Sequence, residues 1–250
     1  MSMETLQETF QQKYKVSSQV FCSAIILAAG KGTRMEAKIN KVYMEIAQKP
    51  IAARTLEVFE ESPLINEIIV VINERDKHYY EEKIGGSFNP KIKAVVFGGK
   101  RRQDSVSNGL KQVSQQAEIV LVHDCARPLV TCDIIERSLA GAAEYGAVCV
   151  GMPVKDTIKI VGKDGFVSET LPRDILWSVQ TPQAFKKELL VQAHNRAEAL
   201  DIQATDDAML VEMLGHRIKV IEGSYENIKI TTPEDIAIAE AILKYREKEY

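Results

Sequence analysis

The sequence predicts an α/β fold, a mostly parallel sheet covered by helices on both faces, with one β-arm projecting from it. Short apolar runs recur at Ala24–Leu27, Ile68–Ile72, Ile92–Phe97, Ile119–Val122 and Ala147–Gly151, and helix-period segments fill the gaps. These runs are apolar throughout rather than alternating, as strands covered on both faces require. The alternation breaks once, between residues 153 and 179, where β-prone residues flank a turn.

Taken in chain order, residues 1–22 are polar and Gln-rich and read as a leader outside the fold, disordered or loosely helical. Residues 23–250 read as a single domain. The first strand empties into the small residues Ala28-Ala29-Gly30, which predicts a tight loop. Ala52, Thr55, Leu56 and Phe59 recur at helical spacing, and Asp104–Val113 and Asp133–Tyr145 read as helices. In the arm, Thr157–Val161 is β-prone, Lys163-Asp164-Gly165 turns, and Phe166-Val167 restarts a run returning through Arg173 and Trp177. A lone hairpin is marginal in water, so the arm is expected to pack on a second copy, giving a homodimer. Helical patterning resumes at Lys186–Leu200 and at Asp206–Leu214, the latter with Thr205 as candidate cap. Arg217–Glu222 and Asn227–Thr231 read as strands. Thr232-Pro233-Glu234-Asp235 starts a last helix, with Ile236, Ala239 and Leu243 on one face.

Composition narrows the function. The chain is 45% hydrophobic and 27% charged, ordinary globular values, and its net charge of −3 argues against a general nucleic-acid coat. No apolar run approaches the ~20 residues of a membrane span, and the N-terminus lacks the apolar centre of a secretory signal. Cys22, Cys125, Cys132 and Cys149 form no C-x-x-C pair and sit at no zinc-ligand spacing with His. Buried or semi-buried free thiols suit a reducing cytoplasm, which is the expected location. No metal-ligand cluster is read from the sequence.

The chemistry-bearing residues follow strands. In Ala28-Ala29-Gly30-Lys31-Gly32-Thr33-Arg34, small residues admit backbone N–H groups close to an anion, while Lys31, Arg34 and Lys41 supply cations. A tri- or pyrophosphate is the expected guest. The order fits neither the P-loop nor the dinucleotide fingerprint, whose third glycine is missing. After the third strand come Gly98-Gly99-Lys100-Arg101-Arg102-Gln103-Asp104-Ser105, with Ser105 near a helix start. After the fourth come His123-Asp124-Cys125-Ala126-Arg127-Pro128, where Asp124 can accept from polyol hydroxyls and Arg127 can pair with phosphate. His123 reads as a structural, hydrogen-bonded neighbour. Ligands in such sheets sit beyond the carboxyl ends of the strands, so these loops should share one edge.

Together with Lys155-Asp156-Thr157, Arg173 before Trp177, Thr181-Pro182-Gln183-Ala184-Phe185, Thr205-Asp206-Asp207 and Asn227-Ile228-Lys229-Ile230-Thr231, these motifs resemble the 2-C-methyl-D-erythritol 4-phosphate cytidylyltransferases of non-mevalonate isoprenoid synthesis. The resemblance implies a Rossmann-like fold and CMP transfer from CTP to the polyol phosphate with release of pyrophosphate, Mg²⁺ being carried mainly on the triphosphate. It implies that Arg34 and Lys41 stabilise the transition state. Ala28, Ala29, Gly30, Gly32, Gly98, Gly99 and Ser105 would bind CTP. Asp124, Arg127, Thr157, Arg173, Thr205 and Lys229 would surround the polyol phosphate, with Arg173 and Lys229 holding its phosphate in line. It also implies that the arm swaps across a homodimer, lending Thr157 and Arg173 to the partner. The chain departs from the pattern at two places: Asn40-Lys41-Val42 stands where Pro-Lys-Gln is common, and Cys125 replaces a usual Ala.

A ribitol 5-phosphate cytidylyltransferase is the nearest rival. That branch tends to carry Ala-Gly-Gly for Ala28-Ala29-Gly30 and Ser-Asp-Ala for Thr205-Asp206-Asp207. A non-catalytic nucleotide-binding regulator would tolerate loss of Arg34, Lys41, Arg173 or Lys229, and all four are present.

Overall fold

A computed structural model describes residues 20–30, 39–85 and 90–248. The spine is β1 (Cys22–Ala28), whose buried residues alternate between two cores. Parallel partners flank it: β4 (Glu67–Ile72) on one side and β6 (Ile119–Asp124) on the other. Beyond β4 lies β5 (Ile92–Phe97). Beyond β6 lie the antiparallel β10 (Trp177–Lys186), then β7 (Ala147–Pro153), then β11 (Lys219–Glu222). Among the described residues the sheet has seven strands, and only β10 runs against the rest.

Both faces are covered, as predicted. Ala24 and Ile26 of β1 join Ile68, Val70, Leu121 and Val148 in one core, under α1 (Ile51–Glu61) and α4 (Cys132–Tyr145). Ile25 joins Ile69, Val71, Val120 and Phe185 in the other, under α3 (Arg102–Leu110), α5 (Lys187–Ala199) and α6 (Asp207–Glu212). Each large side chain buried this way contributes about 1.5–3 kcal/mol. Gly109 brings α3 against the sheet, since a Cβ there would meet Ile25 at 2.8 Å. The remaining α-helices among the described residues are α2 (Lys77–Lys83) and α7 (Pro233–Arg246). The latter buries Ala239 with Ile46, Ile51 and Ile230 in a third cluster. A short hairpin, β2 (Glu45–Ile46) and β3 (Lys49–Pro50), leads into α1.

The arm is present as β8 (Lys159–Val161) paired antiparallel with β9 (Val167–Thr170), closed at its base by the Val154 N–H on the Leu176 carbonyl at 3.0 Å. Both strands are exposed along their whole length.

Four expectations need correction. Asn227–Thr231 forms no ladder, because it crosses beyond the strand ends instead of running beside one; Ile230 N–H bonds the Ala126 carbonyl at 2.8 Å. Helix α6 is capped by Asp206, not Thr205, its carboxylate accepting from Met209 N–H at 3.0 Å. Helix α3 stops at Leu110, short of Val113. Strand β5 is only half-buried, with Val95 and Phe97 exposed, because it is the sheet's edge. At the predicted leader boundary, Cys22 already belongs to β1; residues 1–19 lie outside the described residues. No helix among the described residues is long and apolar enough to cross a membrane.

Candidate active site

The strand order reverses at β1, with β4 on one side and β6 on the other, which is where such sheets open a crevice. The crevice is a cavity of about 390 Å³ at the carboxyl ends of these strands. Ala29, Gly30 and Lys41 line it from the loop after β1, Gly99, Arg102 and Ser105 from β5–α3, and Asp124 and Lys229 from beyond β6.

Backbone and small side chains bring the first two loops together. The Ser105 hydroxyl accepts from Gly99 N–H at 3.1 Å. Gly98 lies between them, since a Cβ there would stand 2.4 Å from that of Ala29 and 2.7 Å from Ser105 Oγ. Any larger residue at Gly98 would prise the loops apart.

Charge is organised around Asp124, which is 8% exposed. Its carboxylate accepts from Lys229 Nζ at 2.5 Å and faces Arg102 Nε at 3.4 Å. Burial alone would raise its pKa, but the Arg102 guanidinium and Lys229 ammonium hold it well below the usual carboxylate range. Arg102 also donates to the fully buried Asp207 at 2.6 Å, and Asp207 meets His194 Nε2 at 3.0 Å. A chain of polar and charged contacts therefore runs from His194 of α5 through α6 and α3 to the cavity, ending on Lys229. His123 lies behind Asp124, fully buried between the Arg127 carbonyl and the Thr181 hydroxyl, each at 3.2 Å. Burial pushes its imidazole down to about 3, so it is neutral near pH 7.

The comparisons with known proteins cover the part of the chain that builds this cavity. The family model for 2-C-methyl-D-erythritol 4-phosphate cytidylyltransferase matches residues 22–245. The chain belongs to this family. It is 52% identical over 227 residues to the relative of that name from Alkaliphilus oremlandii, covering 90% of this chain and 96% of the relative. It is 47% identical to the one from Clostridioides difficile, covering 91% and 95%. Among solved structures it resembles the 4-diphosphocytidyl-2C-methyl-D-erythritol synthase of Anaerococcus prevotii (TM-score 0.80, 35% identity, 90% and 97% covered). The Thermus thermophilus cytidylyltransferase is similar as well (TM-score 0.73, 32% identity, 90% and 100% covered). The chain is thus a nucleotidyltransferase.

Of the residues the sequence singled out in this family's pattern, seven line the cavity: Ala29, Gly30, Lys41, Gly99, Ser105, Asp124 and Lys229. Ala28 and Gly98 lie just behind it. Gly32 and Arg34 lie outside the described residues. Thr157 and Arg173 are exposed on the arm, where Arg173 donates to the Lys155 carbonyl at 2.7 Å, and neither lines this chain's cavity. Thr205 is exposed and does not line it either. Arg127 lies behind the lining, donating to the Asn227 carbonyl at 2.7 Å and so anchoring the segment that carries Lys229.

Sequence reading missed Arg102, Asn40 and the Asp207–His194 pair. Arg102 was one of three basic residues in a row that all line the cavity, and only packing sets it apart: Arg101 pairs with Asp104 and Asp201, whereas Arg102 reaches the buried Asp124 and Asp207. For Asn40 a signal existed: Asn before a short helix is a common cap. Cys125 is fully buried and its thiol is pushed up to about 12 by burial, so the departure from Ala leaves no reactive group at the site.

Proposed function

We propose that this protein transfers CMP from CTP to 2-C-methyl-D-erythritol 4-phosphate. A phosphate oxygen of the acceptor attacks the α-phosphorus, the bond from that phosphorus to the bridging oxygen of the β-phosphate breaks, and pyrophosphate leaves. The observation that carries the reading is the meeting of Lys41, Lys229 and two small-residue loops at one cavity of a chain in this family. Bringing together two polyanions requires alignment and positive charge rather than a protein nucleophile.

In this reading Lys41 and Arg34 stabilise charge that develops on the triphosphate. Gly30, Gly99 and Ser105 present backbone and hydroxyl groups to the nucleotide, with Ala28, Ala29, Gly32 and Gly98 shaping that pocket. Asp124 accepts from acceptor hydroxyls and fixes Lys229, which holds the acceptor's phosphate; Arg127 and Thr205 belong to its surroundings. Thr157 and Arg173 serve the site of a second copy. Support for that arrangement lies in the arm's unburied apolar surface, with Phe166 75% and Ile175 69% exposed.

The donor set fits a metal carried by the nucleotide. Asp124 is the only carboxylate among the described lining residues, and it is already paired with two cations. Mg²⁺ held by phosphate oxygens and water would supply charge neutralisation for the leaving pyrophosphate. The expected setting is the cytoplasm.

Purified protein with CTP and Mg²⁺ should release pyrophosphate far faster with methylerythritol 4-phosphate than with ribitol 5-phosphate. Equal or reversed rates would overturn the choice of acceptor.

A further inference from the structure

Asn40 precedes Lys41 at the mouth of the cavity, and its side chain is unusually committed. It is 7% exposed and caps the short 3₁₀ turn Lys41–Tyr43. Its amide Nδ2 donates to the Gly30 carbonyl at 2.7 Å and to Asp76 Oδ2 at 2.8 Å, with the Ala28 carbonyl at 3.2 Å. Two amide hydrogens thus reach three acceptors, and Oδ1 takes the Val42 N–H at 3.4 Å.

The consequence falls on Lys41. Its backbone is bounded by this clamp on one side and by fully buried Tyr43 on the other. The clamp ties it to the end of β1 and to the turn Glu74–Asp76 after β4. The same amide occupies carbonyl oxygens of Ala28 and Gly30, next to the cavity, which would otherwise present negative ends towards an anion. We infer that Asn40 is a positioning residue, fixing Lys41 against the nucleotide loop by cross-linking the ends of β1 and β4. The inference rests on the role proposed above for Lys41.

The test is a double-mutant cycle. Asn40→Ala should lower kcat by about 10-fold while the acceptor KM stays within about twofold, as expected of misalignment rather than lost contact. In a Lys41→Ala background the same substitution should change kcat by less than about twofold. Asn40→Asp should be worse than Asn40→Ala, because it sets a carboxylate against two carbonyls and Asp76. If Asn40→Ala does not fold, Asp76→Ala removes one anchor and should show a smaller loss, again absent without Lys41. Unchanged kcat in the single variants, or additive losses with Lys41→Ala, would refute the inference. Amide hydrogen exchange of the free protein tests it without any substrate: Val42 and Tyr43 should exchange faster in Asn40→Ala than in wild type, and unchanged exchange there would refute the clamp. An inactive wild type would instead count against the proposed reaction.

Discussion

At the scale of residues, the site depends on how four charges are held. Lys41 faces the cavity from one loop, and Lys229 is fixed by Asp124, itself braced by Arg102. Removing the Lys41 charge should cost on the order of 10²–10³ in turnover, by analogy with loss of one transition-state donor, with much less change in CTP affinity. Steady-state kinetics of Lys41→Ala check this, and a raised CTP KM with intact kcat would assign Lys41 to ground-state binding. The neutral His123 makes a separate prediction about stability. Its folded pKa of about 3 lies below the ordinary value, so the unfolded chain binds the extra proton first. Its contribution is therefore complete above about pH 6.5 and is lost as pH falls towards 3, at up to about 1.4 kcal/mol per pH unit. Asp124, also depressed, adds a loss in the same direction only below about pH 4. Urea unfolding of His123→Gln should show a flatter pH dependence between 6 and 4 than wild type; equal slopes would contradict the buried neutral imidazole.

At the scale of elements, the arm and the charged brace behind the cavity stand apart from the core. The β8–β9 hairpin buries little of itself, and Arg173 sits near its base against the Lys155 carbonyl. Such a hairpin cannot hold a cation at catalytic distance unaided, whereas two arms packed about a two-fold axis can. If Arg173 serves the partner's site, mixing Lys41→Ala with Arg173→Ala protein after dissociation and reassociation puts both defects in one site of a mixed dimer and none in the other. About a quarter of wild-type sites should return, by counting over random pairs. Demonstrated exchange of subunits without recovered activity would place Arg173 in its own chain's site. The brace makes a second prediction, because Asp207 binds Arg102 from the start of α6 with His194 of α5 behind it. Asp207→Asn should weaken acceptor binding although Asp207 does not line the cavity. Unchanged acceptor KM would show that Arg102 is held adequately by Asp124 alone.

At the scale of the whole molecule, a cavity assembled from three loops couples ligand binding to stability, since the unfolded chain has no such site. CTP at about 100 times its dissociation constant should stabilise the protein by about 2.7 kcal/mol. For a chain of this size that is a rise in Tm of roughly 5–10 °C, readable by calorimetry. A purine triphosphate should give a smaller rise if the base of the proposed substrate CTP sits beside the Gly98 loop, which packs closely on Ala29 and Ser105. Equal shifts for ATP and CTP would remove that basis for nucleotide choice. Sedimentation at micromolar concentration should report a dimer, and deletion of residues 158–171 should shift it to monomer.

The sequence by itself determined the alternation of elements and the family. Buried strands must be apolar throughout, helices must repeat at their own period, and anion loops need small residues, so each leaves a local trace. Ala29, Gly30, Lys41, Gly99, Ser105, Asp124 and Lys229 were legible because they sit in such traces, directly after a strand or in a recognisable motif. Tertiary structure alone decided the rest. It turned Asn227–Thr231 from an apparent strand into a strap over the strand ends, because pairing depends on what lies alongside and not on β-propensity. It separated Arg102 from its basic neighbours, since only the packing of α3 against α6 sets a buried carboxylate opposite that side chain. It moved Arg127 behind the lining and gave Asn40 its three acceptors, from segments 10 to 36 residues away in the chain. Interactions that span such separations leave no periodicity to read; they exist only once the sheet has brought its strand ends to one edge.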